Sequence, residues 1–173
     1  MVIITIPNCF NNKLGCDNWA ANSSTYNRTF VREREQFLNI LDNKNITNVA
    51  FIATDVHFAA NVMYEDNPNN DKDNLILYEI VTGPLNIWTR NITNPTDPTI
   101  NAHYFYNESA IFNFGYINIQ RLPDGKVHLI SEMIDSNGRI RPSSILNLTA
   151  QANTELNLAP KMVASTAPSA NLQ

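Results

Sequence analysis

Several things are scarce in this 173-residue chain, and each scarcity excludes something. Basic residues number 12 against 16 acidic ones, so the formal net charge is -4. That balance argues against nucleic acid or an anionic membrane as a stable partner, because both require a basic surface. No apolar run approaches the roughly 18 residues of a membrane span. The first residues, Met1-Val2-Ile3-Ile4-Thr5-Ile6-Pro7, lack the cationic segment and the cleavage site of a signal peptide. Cysteine occurs twice, at Cys9 and Cys16. Their spacing permits a small-loop disulfide and matches no zinc signature. There is no internal repeat, phosphate-binding loop, dinucleotide fingerprint or Ser-His-Asp order.

What remains is one domain's worth of chain with 43% hydrophobic and 9% aromatic residues, enough for a sizeable core and too much for global disorder. Asparagine fills roughly one position in six. It stands in acceptor sequons at Asn22, Asn27, Asn45, Asn91, Asn107 and Asn147. So much asparagine near serine and threonine generates sequons by chance, and compositional bias explains them more readily than glycosylation does.

The opening run Val2 to Ile6 reads as a β-strand stopped by Pro7, since β-branched residues crowd it. It resembles the middle of a sheet, as if the chain began inside a larger domain. Residues 8–27 read as a long polar loop. A helix is expected over 29–43, where Phe30, Phe37, Leu38 and Leu41 share one face. Val49-Ala50-Phe51-Ile52-Ala53 is apolar without alternation, the mark of a strand buried on both faces. Strand, loop, helix and strand in this order form an α/β unit. Residues 65–74 read as a solvated acidic insertion, 75–81 as a strand stopped by Gly83-Pro84, and 91–99 as irregular chain. In the last third, two β-rich runs flank the Pro-Asp-Gly turn at Leu122 to Gly125. A second turn at 135–138 and short strands before Pro142 and near 145–148 complete a set of antiparallel hairpins. Residues 160–173, rich in Ala, Ser and Pro, read as a flexible tail.

Asp55-Val56-His57 follows the doubly buried strand directly. In open α/β sheets ligands bind beyond the carboxyl ends of the strands. A spacing of two in extended chain puts carboxylate and imidazole on one side. An oxygen and a nitrogen donor together suit iron, manganese or zinc. Taken alone the pair is a weak signal and more often has an incidental structural role. Elsewhere His128 reads as a strand residue, His103 as a packing residue in irregular chain, and Trp19 and Trp88 as core rather than as the lining of a substrate cleft. Arg32 and Arg34 read as solvated helix charges, with phosphate contact the alternative.

Five ordered segments alter that balance. They are Asp17-Asn18-Trp19; Tyr26 and Arg32 with the Glu-rich helix start; Ile46-Thr47-Asn48-Val49 followed by Ala53-Thr54-Asp55-Val56-His57-Phe58-Ala59; Tyr78-Glu79-Ile80-Val81-Thr82-Gly83-Pro84-Leu85; and Phe114-Gly115-Tyr116-Ile117. In this order they resemble the alkaline phosphatase D (PhoD-like) family over roughly residues 2 to 149. The resemblance implies part of a metallophosphoesterase-type β-sandwich flanked by helices, an α/β fold that here ends in antiparallel hairpins. It implies a metal-dependent phosphoester hydrolase, using iron and calcium, exported or at the cell surface. Asp55 and His57 match the family's late D-x-H ligand pair, and Asp17 its D-x-W aspartate, as a calcium ligand. Thr54 stands where the family has Gly.

The family's early ligand motifs have no counterpart here. The expectation is therefore that residues 1–159 are the C-terminal portion of the catalytic domain. The isolated chain is then inactive, and its runs 2–6 and 49–53 rely for cover largely on the missing N-terminal half. The implied chemistry is metal-assisted hydrolysis, with His57 a ligand rather than a general base. The competing reading is a non-catalytic secreted or cell-surface interaction module, or a decayed phosphatase domain.

Overall fold

The computed structural model describes residues 2–7, 31–54, 57–67, 74–86, 88–91 and 101–150. Nine elements follow one another: β1 (Val2–Pro7), α1 (Val31–Asn43), β2 (Val49–Thr54), β3 (Ala59–Asp66), β4 (Leu75–Val81), β5 (Asn101–Glu108), β6 (Asn113–Arg121), β7 (Val127–Asp135) and β8 (Leu146–Thr149). They build two sheets, ordered β1-β2-β4-β3-β5 and β6-β7-β8. With α1 on the larger sheet, the described residues are mostly β and form an α/β, sandwich-like arrangement.

Three strands of the larger sheet run parallel. β1 pairs with β2 from Val2↔Val49 to Pro7↔Thr54, and β2 with β4 from Val49↔Leu77 to Ala53↔Val81. Their carboxyl ends therefore lie side by side at one margin. β3 and β5 join antiparallel on the other side of β4.

The helix turns Arg34, Leu38 and Leu41 inward at a spacing of four and three, with Phe37 half-buried beside them. It stops in a Schellman-type cap. Asn45 takes the left-handed conformation (φ 51°), the Ile46 N–H donates to the Leu41 carbonyl at 2.8 Å, and the Asn45 N–H donates to Asp42 at 2.9 Å. Arg34 is 2% exposed, so the reading of both helix arginines as solvated holds for Arg32 alone.

Two cores sandwich the larger sheet. Leu38 and Leu41 pack with Val49, Phe51, Ala53, Val62, Tyr64, Leu77 and Val81 on the helix side. Ala50, Ile80 and Tyr106 pack with Leu129, Met133, Leu146 and Leu148 on the side of the smaller sheet. β2 is thus buried on both faces, as its unalternating run requires. The cover comes from α1 and β6–β8 of this same chain, which corrects the expectation that residues 49–53 depend for it on a missing half.

Residues 59–66 and 101–108 are strands that the sequence reading does not expect, since it takes 65 and 66 into the acidic insertion and places His103 in irregular chain. A register shift opposite Asn61 and Val62 pairs them with Tyr106 and Tyr104, skipping Phe105. Tyr104 then packs on the helix side while Phe105 and Tyr106 both pack on the other. His103 sits in β5 and is exposed, so it is neither in irregular chain nor packed.

A charged clasp ties the sheets together. Arg141 donates from Nε to Glu108 Oε2 at 3.0 Å, from Nη2 to Oε1 at 2.5 Å, and from Nη1 to Asp135 Oδ2 at 3.1 Å. The Tyr106 hydroxyl adds a bond to Glu108 at 2.8 Å. Deeper in, Glu79 lies between Phe51 and Val62 in register and is 0% exposed. Tyr64 donates to its Oε2 at 2.6 Å, and its Oε1 meets no partner among the described residues. Burial pushes this carboxyl up to about 7, against the opposing pull of the Tyr64 bond.

Candidate functional site

The margin where β1, β2 and β4 end carries the sequence motifs. Pro7 and Thr54 are partners at the last register of β1 and β2. Beyond it the Thr82 N–H donates to the Ala53 carbonyl at 2.9 Å, which keeps the two chain ends together one step past the ladder. His57 follows in the bend that leads into β3. Asp17 and Asp55 lie outside the described residues, as do Trp19, Cys9 and Cys16. Of the three candidate ligands, His57 is the one whose position is described.

His57 is held in an uncommon way. Its backbone takes φ 66°, a left-handed conformation uncommon outside glycine and found chiefly at Asn, Asp and His. Its ring Nδ1 lies 2.6 Å from the Trp88 carbonyl oxygen. A carbonyl can only accept, so Nδ1 carries the proton and the Nε2 lone pair is left for another use. The imidazole also stacks on the Trp88 indole, with centroids 4.0 Å apart and planes inclined by 20°. From the other direction the Arg90 N–H donates to the His57 carbonyl at 2.7 Å. The Arg90 guanidinium carbon lies 4.6 Å from the centroid of that same indole. Trp88 is 43% exposed, which corrects its assignment to the core.

The strand end beside this histidine is pinned from the second sheet. Asn113, 1% exposed, accepts at Oδ1 from the Gly83 N–H at 3.0 Å and donates from Nδ2 to the Gly83 carbonyl at 2.9 Å. Its own N–H donates to the Pro84 carbonyl at 2.8 Å. Two residues on, the Gly115 N–H donates to Thr82 Oγ1 at 3.0 Å. A Cβ at Gly115 would come within 2.9 Å of Thr82 Cγ2, so glycine is what lets the strands approach this closely. The Glu79-to-Leu85 and Phe114-to-Ile117 motifs, some thirty residues apart in sequence, are therefore one joint in space.

The other histidines do other work. His128 is a strand residue, as its sequence implies. Its Nδ1 faces Asn147 Oδ1 at 2.9 Å and its Nε2 faces Asp124 Oδ2 at 2.9 Å. Those two acceptors raise its pKa, Asn147 first, and leave neither ring nitrogen for a metal. Among the described residues no three His, Cys, Asp or Glu side chains gather as a metal cluster. No described helix is long and apolar enough to cross a membrane.

Sequence reasoning missed Arg90 and Asn113 as parts of this margin, and it ranked cleft-lining second to core for Trp88. Trp88 offers a backbone oxygen, which has no side-chain signature. Asn113 is one asparagine in a chain full of them.

A histidine fixed by a carbonyl thus stands at the carboxyl ends of parallel strands, where open α/β sheets bind their ligands. The comparison with protein families is more specific. The family model for PhoD-like phosphatase matches residues 11–127, and the chain belongs to that family. No curated protein and no solved structure matches it. The matched residues include all five motifs, and the family supports a phosphatase-type function for the chain at the level of the family.

Proposed function

We propose that this chain contributes to a metal-dependent phosphoester hydrolase site at the carboxyl ends of β1, β2 and β4, with His57 as a metal ligand through Nε2. The observation that carries the reading is the bond from His57 Nδ1 to the Trp88 carbonyl. Metal-ligating histidines characteristically donate their second ring N–H to such a group, which fixes the tautomer and raises the basicity of the ligating nitrogen. The left-handed backbone at His57 fits the same role, since strain of this kind is kept where a side chain must be aimed.

By family resemblance Asp55 and Asp17 complete the donors on this chain, and iron and calcium are the cations. When bound, such cations supply charge neutralisation at the phosphoryl oxygens and activation of water. The chain's own residues orient the ligands. Trp88 holds the imidazole by its carbonyl and its ring, and the Asn113–Gly83 and Gly115–Thr82 bonds hold the neighbouring strand end in place. With Nε2 committed, His57 does not take the proton of the attacking water. Export or cell-surface display is part of the same proposal and also rests on the family.

The test is metal content. The chain and its His57→Ala variant are loaded with iron, separated from free metal, and assayed per mole of protein with their circular dichroism compared. The variant should retain the wild-type fold and lose ten-fold or more of its iron affinity. Equal iron in both proteins refutes the ligand assignment.

A further inference from the structure

We propose that Arg90 is the contact for the anionic oxygens of the phosphoester, a phosphate-binding residue that the sequence motifs do not mark. The inference deepens the proposed function and rests on the reading of this margin as a phosphoester site. Three observations support it. Arg90 is tied to the candidate ligand by main chain, since its N–H donates to the His57 carbonyl at 2.7 Å. Its guanidinium is placed by the indole on which His57 also stacks, 4.6 Å from the ring centroid. And it is exposed, with no carboxylate within ion-pair distance among the described residues. Arg141, by contrast, is consumed by Glu108 and Asp135.

The chemistry of the side chain fits. An arginine held over an aromatic ring by a cation–π contact still has N–H groups to offer, and their fork matches the spacing of two phosphoryl oxygens. Stacking also fixes the side chain in advance, so less freedom is lost on binding. A chain of net charge -4 repels an anionic ester at long range, so a guanidinium with no ion-pair partner among the described residues, on the indole that also stacks with His57, gives that ester a local attraction. Leu85, 74% exposed, and Trp88 lie on the same connection after β4 and offer apolar surface to the organic part of the ester.

The experiment uses the metal-free 173-residue chain with inorganic phosphate as the probe, at constant ionic strength set by chloride. Arginine Nε–H and tryptophan Nε1–H resonances are followed by NMR during the titration. Saturable shifts at Arg90 and Trp88 are expected, with affinity at least ten-fold weaker in Arg90→Ala and partly kept in Arg90→Lys. In a separate titration Mn²⁺ alone is added, and broadening of the His57 ring signals reports the metal reading independently. Loss of broadening with intact phosphate shifts would overturn the metal ligand and leave Arg90 standing. Phosphate affinity unchanged in Arg90→Ala, or no shift at Arg90 in the wild-type chain, overturns the inference. So does Arg90→Ala that abolishes Mn²⁺ broadening, because Arg90 would then act only by supporting His57.

Discussion

Replacing Glu79 by glutamine tests the buried carboxyl directly. Its ordinary value of 4.5 is pushed up to about 7 by burial. Below pH 4.5 the carboxyl is protonated both in the fold and in the unfolded chain, and stability is at its fullest. Between 4.5 and 7 the unfolded chain releases the proton while the fold retains it, so the unfolded state binds fewer protons and stability falls as pH rises. Above 7 both states are ionised and the loss is complete. A gap of roughly 2.5 pH units at about 1.4 kcal/mol each amounts to a swing of about 3 kcal/mol. Glu79→Gln keeps the shape and an acceptor for Tyr64 but cannot ionise. Its amide leaves a buried N–H₂ to satisfy, at a cost of about 1–3 kcal/mol that does not depend on pH. The informative quantity is therefore the difference between the two proteins as a function of pH. Urea unfolding at pH 4 to 9 should show that difference moving by about 3 kcal/mol in favour of glutamine between pH 4 and pH 8. Parallel curves, with a constant offset, refute the reasoning and return Glu79 to an ordinary ionisation.

Two further outcomes follow from the joints between the sheets. Arg141→Ala removes three charge-assisted bonds from a half-buried cluster and should lower stability by about 1–3 kcal/mol in urea unfolding. Because the Arg141 bonds hold Glu108 below its ordinary carboxylate range, their contribution is present above that range and fades as pH falls through it. The acid limb of the stability curve should accordingly be shallower in the variant. Gly115→Ala drives a methyl group against Thr82 and should cost about 1–3 kcal/mol by overpacking, and Thr82→Ser in the same protein should recover part of the loss in thermal melts.

The elements that could be read from sequence are those with a local signal. Residues 49–53 and 75–81 carry unbroken apolar runs, the helix carries its Leu38 and Leu41 spacing, and the hairpin carries Pro123-Asp124-Gly125 between its strands. β3 and β5 have no such marks. β3 ends in Glu65 and Asp66, and those residues were assigned to the acidic insertion. In β5 the skipped Phe105 breaks the alternation on which a period-two reading depends. At the site, His57 was legible because an aspartate two residues earlier and a buried strand before it gave it context. Its partners were not. A main-chain oxygen 31 residues away and a stacked ring depend on where the chain returns, which only the tertiary fold decides.

The joint formed by Thr82, Gly83, Asn113 and Gly115 pins one end of β6, and the turn at residues 123–125 stands exposed at the other. β6 is anchored at its first residues, against the margin that holds His57, and leaves that margin over nine residues, a reach of roughly 30 Å. The Pro-Asp-Gly tip is thus at the far end of a beam whose root is at the candidate active margin. Chain length added at that tip changes nothing at the root, so the tip is the natural place to graft a label or a second protein. A one-residue insertion at the root, before Gly115, would instead turn the wrong face of β6 toward Thr82 and unseat the strand end on which the histidine's surroundings depend.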